Sequence, residues 1–180
     1  MVTRRADHAK EIEKEEHELA YRKEYIDHLK KVNDVFYDQI RIADQKAAYI
    51  FTFMLAFMVS SAEGRGVFKW VRYQEGDWPI VFCSAILAAA VVVSLLSAIL
   101  VVLPRHKSEA TSLYWGAWPR NRTPFTNAAE RGDPDYLYHQ YLDNVDNLAA
   151  ISRAKYRFVG LSFRGLMLAV TAYVGLLLAG

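Results

Sequence analysis

Residues 78–103 of the chain read WPIVFCSAILAAAVVVSLLSAILVVL, a run of 26 residues without a charged side chain. As a helix this run extends about 39 Å, which exceeds the ~30 Å hydrocarbon core of a bilayer. It ends at Pro104, which cannot continue a helix. A buried core helix is the alternative, but a chain of 180 residues has little soluble core to receive it. The stretch therefore predicts a transmembrane helix.

Two further apolar blocks flank this run along the chain. Residues 47–62 (AAYIFTFMLAFMVSSA) carry no charge, and residues 158–179 carry one, Arg164. The mean hydropathy near zero averages these blocks with highly charged segments. A cleaved signal peptide stands at the N-terminus, whereas the first block follows 46 residues, many of them charged. The sequence predicts a chain anchored by three spans.

The distribution of Lys and Arg predicts the topology. Ten precede the first block, three lie in residues 63–77, and eight lie in residues 104–157. Because cytoplasmic loops are rich in Lys and Arg, the N-terminus is expected in the cytoplasm. The predicted organisation is a cytoplasmic amphipathic helix over 1–46, transmembrane helices over 47–62, 78–103 and 158–179, an external loop over 63–77, and a cytoplasmic loop and helix over 104–157.

Residues 6–46 predict one long helix, since they contain neither Gly nor Pro. Asp27 and Lys31 stand at a spacing that favours an ion pair on a helix. No helix breaker separates this segment from the first span, so the helix is expected to continue into the bilayer. Apolar residues recur at spacings of three, four and seven and form one stripe: Ile12, Leu19, Ile26, Leu29, Val32, Phe36, Ile40 and Ala43.

Residues 104–134 contain four prolines and two glycines, which predict loops and short turns. Asp133–Pro134 then predicts the start of a second long helix that continues into the third span. Neither long helix can bury its apolar stripe alone, so the two are expected to pack as a stalk, within one chain or between chains. The predicted fold is an all-α membrane protein with three transmembrane helices and two long cytoplasmic extensions.

Composition and motifs argue against several classes of protein. The net charge of +2 is low for a nucleic-acid binder. The single cysteine, Cys83, excludes a disulfide framework and a Cys-rich zinc site. The sequence contains no GxxxxGK[ST], GxSxG, HExxH or CxxC pattern. We therefore expect neither an enzyme nor a bound metal or cofactor.

Charged and aromatic residues gather where the first and third spans meet the cytoplasmic face. Lys and Arg at this depth can simply reach lipid phosphates, with Asp44 as a partner. Alternatively they form a pocket in which cations bind a phosphate, Asp44 orients them, and aromatic rings stack on a base. The candidate ligand-binding residues are Asp44, Lys46, Trp115, Trp118, Arg120, Arg122, Lys155 and Tyr156.

Arg164 lies six residues inside the third apolar block. Thr52 and Ser97 stand at the same count from the cytoplasmic ends of the other two spans. Charges inside a membrane are costly and are often functional. These residues predict an intramembrane polar layer, whereas snorkelling of Arg164 towards the interface is the alternative.

Several short segments of the chain form a recognisable series. Ala43 to Ala47 read A-D-Q-K-A and open the first span. Further segments are Pro104–Arg105 after the second span, Leu113 to Gly116, Tyr138 to Leu142, and Lys155–Tyr156 before the third span. In this order they resemble the Pycsar effector transmembrane family of bacteria, whose first span opens with A-D-x-K-A. The resemblance covers about residues 35–179.

The resemblance implies a membrane effector of anti-phage defence. A partner cyclase would make a cyclic mononucleotide, cyclic CMP or cyclic UMP, on infection. The effector would sense it at the cytoplasmic face and impair the inner membrane, which causes abortive infection. Small residues in the second and third spans permit close helix approach and a homo-oligomer. The alternative is a structural or adaptor membrane protein whose stalk docks a protein partner.

Overall fold

The computed structural model describes residues 2–104 and 111–179, and every regular element among them is helical. Three of the helices are long and apolar enough to cross a membrane. This confirms the predicted all-α membrane fold. Residues 105–110, near the start of the predicted segment 104–157, lie outside the described residues. The helices are α1 (Val2–Ser60), α2 (Ala62–Gly66), α3 (Val71–Glu75), α4 (Trp78–Val102), α5 (Trp118–Arg131) and α6 (Pro134–Ala179).

Helix α1 runs for 59 residues without interruption, which confirms that the N-terminal helix continues into the first apolar block. Its sequence contains no Gly or Pro to end it earlier. The side chains of Ile12 and Leu19 lie outside the described ones. The remaining stripe faces inward as predicted, because Ala43 is fully buried and the other members are half-buried: Ile26, Leu29, Val32, Phe36 and Ile40.

The ion pair on the exposed face of α1 differs from the predicted one. Asp27 Oδ1 accepts a hydrogen bond from Lys30 Nζ at 2.9 Å, rather than from Lys31. Spacings of three and four both bring helical side chains together, so spacing alone does not select the partner. The hydrogen bond lowers the pKa of the Asp27 carboxyl and raises the pKa of the Lys30 ammonium.

The connection between α1 and α4 contains two short helices. Ser61 caps α2 by accepting a hydrogen bond from the Gly64 N–H at 3.0 Å. The hydroxyl of Tyr73 donates to the Val67 carbonyl at 2.6 Å, which ties α3 back towards α2. The predicted external loop 63–77 is therefore a folded segment.

The prediction of loops and short turns before residue 134 was wrong for residues 118–131, which form α5. Pro119 lies in the first turn, where its fixed φ favours a helix. Pro124 lies further inside and gives up one backbone hydrogen bond. The helix ends at Gly132, whose φ of 63° is left-handed. Asp133 then accepts from the Asp135 N–H at 3.0 Å and caps α6, as predicted.

The chain divides into two compact units, described separately below. The polar unit comprises Met1–Asp38 and His106–Ala150, and the membrane unit comprises Gln39–Arg105 and Ile151–Gly180. The membrane unit has two apolar clusters, one around Met54, Leu87 and Val91 and another of small residues around Ala43 and Ala98. Helices α1 and α6 contribute residues to both units.

Candidate functional site

Four of the eight predicted ligand-binding residues come together in the membrane unit, where α1 contacts α6. Lys155 Nζ donates a hydrogen bond to Asp44 Oδ1 in an ion pair. The Tyr156 hydroxyl donates to Gln39 Oε1 at 2.6 Å. Lys46 Nζ lies 5.7 Å from the centre of the Tyr156 ring, within range of a cation–π contact. We call Gln39, Asp44, Lys155 and Tyr156 the helix clasp.

The two charges of the helix clasp differ in exposure. The Lys155 side chain is 8% exposed, whereas the Asp44 side chain is 37% exposed. A buried ammonium needs a counter-charge, since its hydration is lost. Asp44 supplies that charge and still reaches solvent. The observed geometry is therefore that of a helix–helix contact in which Asp44 neutralises Lys155.

The other four predicted residues lie in the polar unit and are all exposed. Trp115 is 82% exposed and follows Tyr114, whose ring centre is 5.6 Å away. Trp118 is at the start of α5 with its ring centre 5.7 Å from that of Phe125. Arg120 and Arg122 are exposed on the same helix. Because the eight residues belong to two units, their common role in ligand binding stays a prediction.

A buried polar network in the polar unit was not predicted. Asn144 on α6 donates to Asn33 Oδ1 on α1, and Thr111 Oγ1 donates to Asn144 Oδ1 at 3.1 Å. All three side chains belong to residues less than a tenth exposed. The signal was present in the sequence, since Asn33 and Asn144 occupy positions on the apolar stripes of their helices. Buried amides at such positions fix helix register, because a shift would leave them unpaired.

The residues of the predicted intramembrane layer occupy different environments. Ser97 is buried, whereas Thr52 and Arg164 are exposed on the surface of the membrane unit. The side chains of Thr52 and Arg164 are thus free to face lipid or another copy of the chain. The predicted polar layer itself stays a prediction.

The closest polar contact described between α4 and α6 is a reciprocal serine pair. Ser94 Oγ donates to the Ser162 carbonyl at 2.9 Å, and Ser162 Oγ donates to the Ser94 carbonyl at 2.9 Å. Both serines are fully buried. Gly165 permits this approach, because a Cβ there would lie 2.9 Å from the Ser94 Cβ and 3.1 Å from the Ala90 carbonyl oxygen. We call Ser94 and Ser162 the serine pair.

The described contacts of these sites are those of helix packing. Among the side chains that the structure describes, no three from His, Cys, Asp or Glu lie together as metal ligands would. The contacts described above are an ion pair, amide and hydroxyl hydrogen bonds, and contacts between tilted aromatic rings. Such contacts hold helices in one arrangement.

Comparison with known proteins gives one match. The family model described as the Pycsar effector protein domain matches residues 28–180. No curated protein and no solved structure shows significant similarity to the chain. The matched range contains the helix clasp, the serine pair and the apolar segments of α1, α4 and α6, and it leaves out the first 27 residues.

Proposed function

The chain belongs to the Pycsar effector transmembrane family, and we propose that it senses a cyclic pyrimidine mononucleotide and responds by impairing the inner membrane. Membership makes it a multi-pass membrane protein of anti-phage defence. In the proposed sequence of events, a partner cyclase makes cyclic CMP or cyclic UMP on infection. Loss of membrane integrity then kills the infected cell before the phage spreads.

The continuity of α1 and α6 carries this proposal. Each helix contributes residues to the polar unit and to the membrane unit without a break. A ligand shifts an equilibrium only if it binds one arrangement better than the other. A ligand that prefers one arrangement of α1 and α6 in the polar unit therefore acts on helices that also supply two of the apolar segments. The helix clasp would hold these helices in the resting arrangement.

The distribution of charge supports a cytoplasmic polar unit. Its residues include most of the Lys and Arg of the chain, whereas residues 63–77 carry three. By the bias of cytoplasmic loops towards positive charge, the N-terminus and the 104–157 segment face the cytoplasm. The polar unit would then be exposed to a nucleotide that is made inside the cell.

Impairing a membrane would require several copies of the chain. Three spans are too few to enclose a pore, and their most apolar windows are only 22%, 39% and 28% buried within the chain. The exposed apolar faces of α1, α4 and α6 are available for contacts with lipid and with other copies. We therefore propose a homo-oligomer whose helices rearrange when the ligand binds.

Reconstitution of the purified protein in dye-loaded liposomes tests the proposal. We expect cyclic CMP or cyclic UMP to release the dye, whereas the linear 5′-monophosphates CMP and UMP should leave it inside. Calorimetry on the same preparation would measure binding directly. A folded, inserted protein that neither binds these nucleotides nor releases dye would contradict the proposal and favour an adaptor whose stalk docks a protein partner.

A further inference from the structure

The polar unit contains a cavity of 330 Å³ between the outer part of α1 and the first turns of α6. Tyr21, Arg22, Tyr25 and Ile26 line it from α1. Pro134, Asp135 and Tyr138 line it from α6. We call this cavity the tyrosine pocket. None of its residues is among the eight predicted from sequence to bind ligand.

Two tyrosines form the aromatic wall of the tyrosine pocket. The ring centres of Tyr21 and Tyr25 are 4.7 Å apart, and their hydroxyl oxygens are 2.7 Å apart. The hydrogen bond with Tyr21 raises the pKa of Tyr25, so this phenol is neutral at physiological pH. Both rings are about half-exposed. The Tyr25 ring therefore offers a π face to a planar ligand and no negative charge to repel an anionic one.

A single ion pair supplies the charge at the edge of the tyrosine pocket. Arg22 Nη1 donates to Asp135 Oδ1 at 2.6 Å, with side-chain exposures of 48% and 59%. Ion pairs this exposed are weak, so a phosphate can replace the carboxylate without a large loss. Guanidinium groups also bind phosphate through two parallel hydrogen bonds. Once released, Asp135 could accept a hydrogen bond from a ribose hydroxyl.

The size of the cavity limits the ligand. Pockets for small molecules occupy roughly 300–1,000 Å³, and 330 Å³ is near the lower end of that range. This volume suits one nucleotide and is small for a cyclic dinucleotide or a nucleic-acid strand.

We propose that the tyrosine pocket is where the cyclic mononucleotide binds, an inference that rests on the proposed function. The base stacks on the ring of Tyr25, to which the Tyr21 ring is tilted by 56°, and the phosphodiester takes the place of Asp135 on Arg22. Since α1 and α6 each form one wall, an occupied pocket fixes their spacing. Residues 21–26 precede the range that the family model matches, 28–180, whereas the α6 wall lies within it.

Calorimetry on the full chain in detergent, with cyclic CMP and cyclic UMP as probes, tests this site. Stacking of a base on an aromatic ring contributes about 5- to 150-fold in affinity. We therefore expect Tyr25→Ala to weaken binding by a factor within that range and Tyr25→Phe to retain binding. Arg22→Gln should weaken binding at least about tenfold by removing the phosphate contact. Tyr37→Ala and Arg131→Gln, which change exposed residues outside the pocket, should bind as wild type does.

The outcomes separate this inference from the proposed function. If wild type binds and the Tyr25→Ala and Arg22→Gln proteins bind equally well, the pocket assignment is overturned while nucleotide sensing stands. Loss of binding in Trp118→Ala or Lys155→Met, with the pocket variants unaffected, would move the site to the residues predicted from sequence. If wild type binds neither nucleotide, nucleotide sensing and the pocket assignment fail together.

Discussion

Replacing Asp44 by Ala should destabilise the membrane unit more than replacing its partner Lys155 by Met. Asp44→Ala leaves an ammonium that is 8% exposed without its counter-charge. Removing one partner of a fully buried pair costs about 3–5 kcal/mol, whereas an exposed pair contributes about 1 kcal/mol or less. Because Asp44 is 37% exposed, we expect an intermediate cost, about 2–3 kcal/mol in the free energy of unfolding.

Replacing the partner, Lys155, should have a smaller effect on the free energy of unfolding. Lys155→Met replaces the buried ammonium with an apolar side chain of similar length, and the remaining carboxylate reaches solvent. We expect a cost of about 1 kcal/mol or less. The double variant should lie within about 1 kcal/mol of wild type, since replacing a buried pair as a whole is often nearly neutral.

Thermal unfolding in detergent, followed by circular dichroism, would measure this difference. About 2–4 °C in Tm corresponds to 1 kcal/mol for a chain of this size, so Asp44→Ala should lower Tm by roughly 4–12 °C. Asp34→Ala, at an exposed position of α1, serves as the control and should leave Tm nearly unchanged. Equal losses in both single variants, adding fully in the double variant, would refute the argument from unequal burial.

Three further predictions follow from other contacts. Gly165→Ala should cost about 1–3 kcal/mol in unfolding free energy by crowding α4, whereas Gly160→Ala, which has open space, should be neutral or stabilising in the same assay. Asn144→Ala should cost about 1–3 kcal/mol by leaving buried amide and hydroxyl groups unpaired, with faster hydrogen exchange near residue 111. The ion pair of Asp27 with Lys30 should stabilise the protein above the unfolded pKa of Asp27, about 3.9, and this stabilisation should be lost as pH falls through the lowered folded pKa. An NMR titration should show a higher midpoint for Asp27 in the Lys30→Gln protein than in wild type.

The long helices were predictable because their signals are local. Unbroken runs without Gly or Pro over α1, and the Asp133–Pro134 start of α6, specify helices that continue into apolar blocks. The family assignment was predicted from short segments and is confirmed by the match over residues 28–180. Helix α5 is harder to predict, because Pro119 resembles a helix breaker in the sequence although it stands in a first turn, where proline is favourable.

The contacts between helices were harder to predict, since spacing along one helix says nothing about the neighbouring helix. Counting residues from the membrane ends places Ser97, Thr52 and Arg164 at one level, but it does not predict that Ser97 is buried while the other two are exposed. The same count does not predict the buried pair of Ser94 and Ser162, where Gly165 allows close approach. Which side chains meet depends on the rotation of each helix about its axis, and the hydropathy of a span does not determine that rotation.

The serine pair has a property that the helix clasp lacks, which is that it can be released at low cost. A hydroxyl in a helix can donate to the carbonyl four residues earlier, as Thr171 does to Met167 at 3.0 Å and Ser60 to Ala56 at 2.7 Å. If α4 and α6 separate, each hydroxyl of the serine pair can turn back to its own helix. A bond to a carbonyl of its own helix would not neutralise the ammonium of Lys155, which needs a counter-charge. The contact between α4 and α6 can therefore open without leaving a hydroxyl unpaired. Opening the contact between α1 and α6 requires another anion to replace Asp44 as the counter-charge of Lys155.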